Sequence, residues 1–227
     1  MPGASVRFAL KNRKGIIVNS FHRAHLAGLV CLVGGVLQII YGLLSVPFAF
    51  AQNNLGWDEA LWGLVTVGMI GGALGLLSLG VARPRWMALL GATLTILGCL
   101  IRMGVIPFNI LSPSDVYVPF ILISAFLIIL GMGVLGIATL LGKQLSGWQA
   151  WTPLLAGVFP LIPLAVYSIN RFIHFLLLGL WGLPWILVGY VVFTHAAKRE
   201  QAMLIQTRGS NDPTLDVPAH AQEWGGR

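Results

Sequence analysis

The chain has 227 residues, 57% of them hydrophobic and 9% charged, with a formal net charge of +7. Soluble domains carry about 25% charged residues, so a water-soluble fold of this length would expose far more apolar surface than is usual. The bases flank long apolar runs instead of forming one patch, which is the distribution of a membrane protein and excludes nucleic acid as the partner.

Residues 1–24, MPGASVRFALKNRKGIIVNSFHRA, mix Arg7, Lys11, Arg13, Lys14 and Arg23 with apolar residues such as Phe8, Ile16, Ile17 and Phe21. That mixture suits a cytoplasmic segment lying along the membrane surface. Gly15 is expected to interrupt any helix there.

Six apolar runs follow, at about 25–48, 60–82, 86–106, 118–142, 151–169 and 172–196. A spanning helix needs roughly 20 mostly apolar residues, because the hydrocarbon core is about 30 Å thick and each residue rises about 1.5 Å. The runs are continuous, whereas a barrel strand would alternate over about 10 residues. Only helices and closed barrels satisfy the backbone in lipid. The expected fold is therefore an all-α integral membrane protein, a bundle of six transmembrane helices forming one domain over 25–196.

The first run ends PFAFAQNN, and Ala49-Phe50-Ala51 resembles a signal-peptidase site. The apolar run before it exceeds the usual core of roughly 7–15 residues, which argues that the span is kept. The second run is rich in glycine. Gly68 and Gly72, and Gly71 and Gly75, have the small-xxx-small spacing that lets a neighbouring helix approach closely. That neighbour is expected within the chain, with a homo-oligomer seam as the alternative.

The third run carries Arg102. Counted from an outer boundary near Pro107, it lies about five residues deep, or roughly 7–8 Å, within reach of a snorkelling arginine stem. The alternative is that it faces inward and pairs. Asp115 is the nearest carboxylate in sequence, with Asp58 and Glu59 as the other candidates. The fifth run contains Pro160 and Pro163 and should kink; Pro184 predicts a milder bend in the sixth. Trp57, Trp62, Trp86, Trp148, Trp151 and Tyr117 lie near run ends, as an aromatic belt would. The pentapeptides ALWGL (60–64) and GLWGL (179–183) match too briefly to establish a repeat. Residues 197–227 are polar and broken by Pro213 and Pro218, so a disordered tail is expected.

Basic residues stay cytoplasmic beside spans. Arg83 and Arg85 fill the second loop, Lys143 the fourth, and Lys198 and Arg199 follow the last span, whereas the first loop carries Asp58 and Glu59. Both termini are therefore expected in the cytoplasm, in an inner or plasma membrane. The outer face would gather Arg102, Asp115, Arg171, His174, Asp58 and Glu59, a set able to hold an anion with His174 as a proton-transfer group. The span centres carry no ionisable residue, which argues against a pump or coupled carrier. His25 and His195 share the inner edge, but terminal histidines are usually solvated; no cofactor and no metal are expected. Cys31 and Cys99 suit core packing rather than a disulfide or metal pair.

Three functional classes follow. The first is an accessory or structural membrane protein without catalysis, working through the bilayer, a protein partner or a second copy. The second binds or transports a small anionic or lipid-like ligand through an outer pocket. The third is a membrane enzyme using the outer Arg/Asp/His set.

Overall fold

Helices cover the apolar runs, where a backbone buried from water must pair its own polar groups. The computed structural model describes residues 3–48, 57–111, 117–167 and 169–209, with side chains over 22–46, 59–108, 117–167, 169–202 and at 205. These residues build α1 (Gly3–Phe48), α2 (Trp57–Leu79), α3 (Arg85–Leu111), α4 (Val118–Gly142), a 3-10 turn (Gly147–Trp151), α5 (Thr152–Val158), α6 (Leu161–Val166), α7 (Arg171–Leu180) and α8 (Gly182–Gly209). There is no strand among the described residues.

Six stretches are long and apolar enough to cross a membrane: His22–Val46, Glu59–Leu79, Arg85–Phe108, Val118–Gly142, Gly147–Val166 and Arg171–Ala202. Two helices run further than the sequence pattern suggests. Helix α1 continues through Gly15, because one glycine costs a helix only about 1 kcal/mol. Helix α8 continues to Gly209, into the stretch expected to be disordered; residues 210–227 lie outside the described set.

The breaks follow the prolines. The fifth stretch splits at Phe159–Pro160, where the missing proline N–H leaves the ladder one bond short. The sixth is interrupted at Trp181, three residues before Pro184, which then sits in the first turn of α8 where a proline is tolerated. At the other end of the bundle, Gly80 takes a left-handed φ of +62° to end α2, and its N–H donates to the Leu77 carbonyl at 3.1 Å. The turn then anchors to α4, with the Arg83 N–H donating to the Ala138 carbonyl at 2.8 Å.

Successive stretches pack antiparallel: α1 on α2, α2 on α3, α3 on α4 and α4 on α5. Helix α8 returns to α5, α1 and α2, so the ring closes. One face of α1, formed by Ala24, Gly28, Cys31, Gly35, Gln38, Gly42 and Ser45, is buried at alternating spacings of four and three. The opposite face, formed by Leu26, Leu29, Val33, Val36, Ile40 and Leu43, is exposed. Close backbone approach supplies van der Waals attraction between these helices. Gly34 and Gly68 meet so closely that a Cβ on Gly34 would lie 2.6 Å from the Gly68 Cα. Gly71 faces Ala27 and Val30, Gly72 faces Cys31 and Trp185, and Gly75 faces Val192. The glycine face of α2 is thus occupied by α1 and α8 of the same chain.

The antiparallel order defines two ends. One carries the α2–α3 turn, Lys143 and Arg199, and is called here the basic end; the far end carries Glu59, Arg102 and His174.

Candidate functional site

Arg102 sits on α3, six residues before Phe108, the end of its apolar stretch. That is about 9 Å of helix, within snorkelling reach, yet the residue is only 8% exposed. It turns into the bundle because α2 offers a carboxylate. Helix α2 starts at Trp57, three residues before the apolar run, and so carries Glu59 in its first turn. Arg102 Nη2 donates to Glu59 Oε2 at 2.9 Å, and both side chains are largely covered. The guanidinium carbon lies 5.7 Å from the Trp62 ring centre. Burying a lone charge is expensive, and a carboxylate partner with an aromatic face offsets much of that cost. Arg102 Nε and Nη1 are buried with no hydrogen-bond partner among the described residues. Asp115 and the Asp58 side chain lie outside the described residues, so Glu59 is the carboxylate seen on Arg102.

Trp62 is not part of a rim belt. It lies 5.0 Å from Tyr41 and 6.4 Å from Trp181, ring centre to ring centre, and links the ion pair to α1 and to the α7–α8 break. These two tryptophans are the central residues of the two matching pentapeptides, so a likeness too short for a repeat still marks a contact. Trp86, Trp148 and Trp151 are more than half exposed, as a belt requires.

The polar side chains at the helix breaks share one task. A carbonyl four residues before a proline has no N–H to receive. For Pro160 that carbonyl belongs to Ala156, and Trp181 Nε1 donates to it at 2.8 Å. Gln38, the most polar residue at mid-depth, donates from Nε2 to the Leu178 carbonyl at 2.8 Å, beside the α7–α8 interruption. His174 Nδ1 lies 2.8 Å from the Pro163 carbonyl, near the end of α6. Its ring also packs edge-on against Tyr167 at 4.9 Å. Each of these carbonyls belongs to a helix end or an interruption, where side chains must replace ladder bonds.

Four of the six candidates, Glu59, Arg102, Arg171 and His174, have described side chains. Arg102 and Glu59 join α3 to α2. Arg171 and His174 belong to α7, which packs on α1 and α6. Arg171 is exposed, and His174 is occupied by Pro163 and Tyr167. At the basic end, the His25 ring lies 3.9 Å from that of Phe193, and His195 Nε2 lies 3.0 Å from Gln149 Oε1. Arg199 Nη1 donates to the Leu79 carbonyl at 2.6 Å, covering the C-terminus of α2. No group of three or more metal-ligating side chains occurs among the described residues.

Two residues carry more weight than their sequence context suggests. Gln38 lies on the small-residue face of α1, and the alternation from Ala24 to Ser45 is the signal that marks it. Trp181 is marked by its distance from Pro160 only once the bundle brings the two together. No family model matches this chain, and no curated protein or solved structure matches it.

Proposed function

We propose that this chain is a non-catalytic, multi-pass protein of an inner or plasma membrane, with both termini cytoplasmic, acting as a structural or accessory component. One observation carries the reading: the polar side chains best placed for chemistry are spent on the chain's own structure. Arg102 pairs with Glu59, His174 contacts a backbone carbonyl, and Gln38 and Trp181 donate to two others. The described contacts of His174, with the Pro163 carbonyl and the rings of Tyr167 and Phe175, are all structural.

Membrane insertion is supported by the exposed apolar faces, which run along every long stretch and would be costly in water. The orientation rests on the bases of the α2–α3 turn, Lys143 and the α8 end sharing one side. Reporter fusions after residues 113 and 145 test it: the first should read outside and the second inside, and the reverse pattern would refute it.

The second reading, capture of an anionic or carbonyl-bearing ligand at the far end, is favoured by the buried and unpartnered Nε and Nη1 of Arg102. Native mass spectrometry of the full chain separates the two. The structural reading expects the same mass of bound species, if any, on the wild type and on a double variant Glu59→Met/Arg102→Met that still folds. A discrete small molecule retained by the wild type and absent from that variant would favour ligand capture.

A further inference from the structure

We infer that the α2–α3 turn at the basic end is a site for the phosphate of an anionic phospholipid. The inference rests on the proposed membrane insertion and adds a ligand at a place remote from Arg102. The turn leaves a cavity of about 390 Å³ between the end of α2 and the start of α3. Buried Leu76 and Ala88 line it together with exposed Arg83, Arg85 and Leu89. The two guanidinium groups make no hydrogen bond or ion pair among the described residues. Among the described residues no carboxylate lines the cavity to neutralise them.

The geometry is held from three sides. Gly80 N–H closes on Leu77, Arg83 N–H is bonded to the Ala138 carbonyl of α4, and Arg199 grips the Leu79 carbonyl. The backbone that carries both arginines is therefore fixed, and only their side chains must order when an anion arrives. Arg85 is the first residue of the 27-residue α3, whose opening N–H groups and dipole favour the same charge. Met87 and Ala88 N–H both turn back to the Pro84 carbonyl, which leaves the first N–H groups of the helix as the outward donors.

The ligand's chemistry follows from the wall. Guanidinium forks match phosphate oxygens in pairs. The adjoining apolar residues, Leu89 at 45% exposure and Leu77 partly buried, suit the start of an acyl chain and not a free ion. A headgroup with a net negative charge is selected over a zwitterionic one, whose ammonium would meet two arginines.

The test is a native mass-spectrometry titration of the full-length protein in neutral detergent with phosphatidylglycerol or phosphatidylcholine. Phosphatidylglycerol should bind about tenfold or more tightly than phosphatidylcholine. Arg83→Gln/Arg85→Gln should lose about 10- to 30-fold, as expected from removing two surface charges beside anionic lipid. Each single change should lose less, and Arg83→Lys/Arg85→Lys should recover part of the affinity. Lys143→Gln, which removes an equal charge at the same end outside the cavity, should change binding by less than about twofold. Equal binding of the two lipids overturns the proposal. So does a loss in Lys143→Gln matching that of the single arginine changes, since the attraction would then be diffuse. Displacement of the lipid by millimolar inorganic phosphate would reassign the site to a soluble anion and overturn the lipid assignment. Release of the protein from membranes by alkaline carbonate would instead refute insertion itself.

Discussion

Arg102 and the Arg83/Arg85 pair have the same chemistry and opposite treatment. Arg102 is 8% exposed and faces Glu59 and Trp62, whereas Arg83 and Arg85 are exposed and face no carboxylate among the described residues of their cavity. Depth alone does not explain the contrast, since Arg102 lies within a stem's reach of the end of its apolar stretch. The difference is cover. The far-end part of α3 packs against the first turns of α2, so the guanidinium lies against Glu59 and Trp62 and finds its counter-charge inside the chain. In the α2–α3 turn Val81 and Ala82 are buried against the bundle, but the side chains of Arg83 and Arg85 stay exposed. A charge enclosed by packing stabilises the fold only while its partner stays. A charge left outside packing contributes little to the fold and is available to something else.

The largest expected effect comes from separating the buried pair. Glu59→Gln keeps the shape and removes the charge, leaving Arg102 enclosed without a counter-ion. The loss should be about 3–5 kcal/mol, read as a lower unfolding midpoint in detergent. Glu59→Met/Arg102→Met should recover most of it, since replacing both partners with apolar groups is often neutral or better. If Glu59→Gln is silent, the pair is as solvated as the basic-end arginines and the contrast disappears.

Next come the close approaches. Gly34→Val drives a side chain into the Gly68 backbone and should cost about 1–3 kcal/mol or more, because backbone cannot swing aside. Gly104 on α3 has open space where a Cβ would lie, with no heavy atom within 4 Å. Gly104→Ala should therefore be neutral or add up to about 1 kcal/mol of helix stability. Opposite outcomes for two glycines in apolar stretches would separate packing from propensity. Equal outcomes would mean that α1 and α2 do not meet as closely as the structure has them.

Much of the architecture is legible in the sequence because lipid-length apolar runs leave few alternatives. The prolines also mark their breaks, and arithmetic alone names the Ala156 carbonyl as the one that Pro160 strands. What arithmetic does not supply is the donor. Trp181 reaches that carbonyl because the ring of helices closes between α5 and α8, a tertiary fact without a local signature. Arg102 is a similar case: its position suggests snorkelling as readily as pairing, and Glu59 is decided by the start of α2 three residues before the apolar run. The small-residue face of α1 is different. Its spacing from Ala24 to Ser45 is fully visible, but the denser glycines of α2 draw the eye first. Trp181→Phe tests the repaired break. Losing the indole donor at a buried carbonyl should cost about 1–2 kcal/mol, with the helices otherwise in place.

The smallest effect is the most informative for the basic end. Arg83→Gln/Arg85→Gln removes two charges from a turn whose backbone is held by Ala138, Leu77 and Arg199, none of which depends on the two side chains. The unfolding midpoint should therefore shift by no more than about 2 °C, as for surface substitutions that touch nothing. That null result carries weight only beside Glu59→Gln: one lost charge destabilises the fold and two lost charges do not. A large fall in the double variant would mean that the arginines already hold the turn together, as Glu59 holds Arg102. The basic end would then be a second internal tie, with no donors left over for a phosphate.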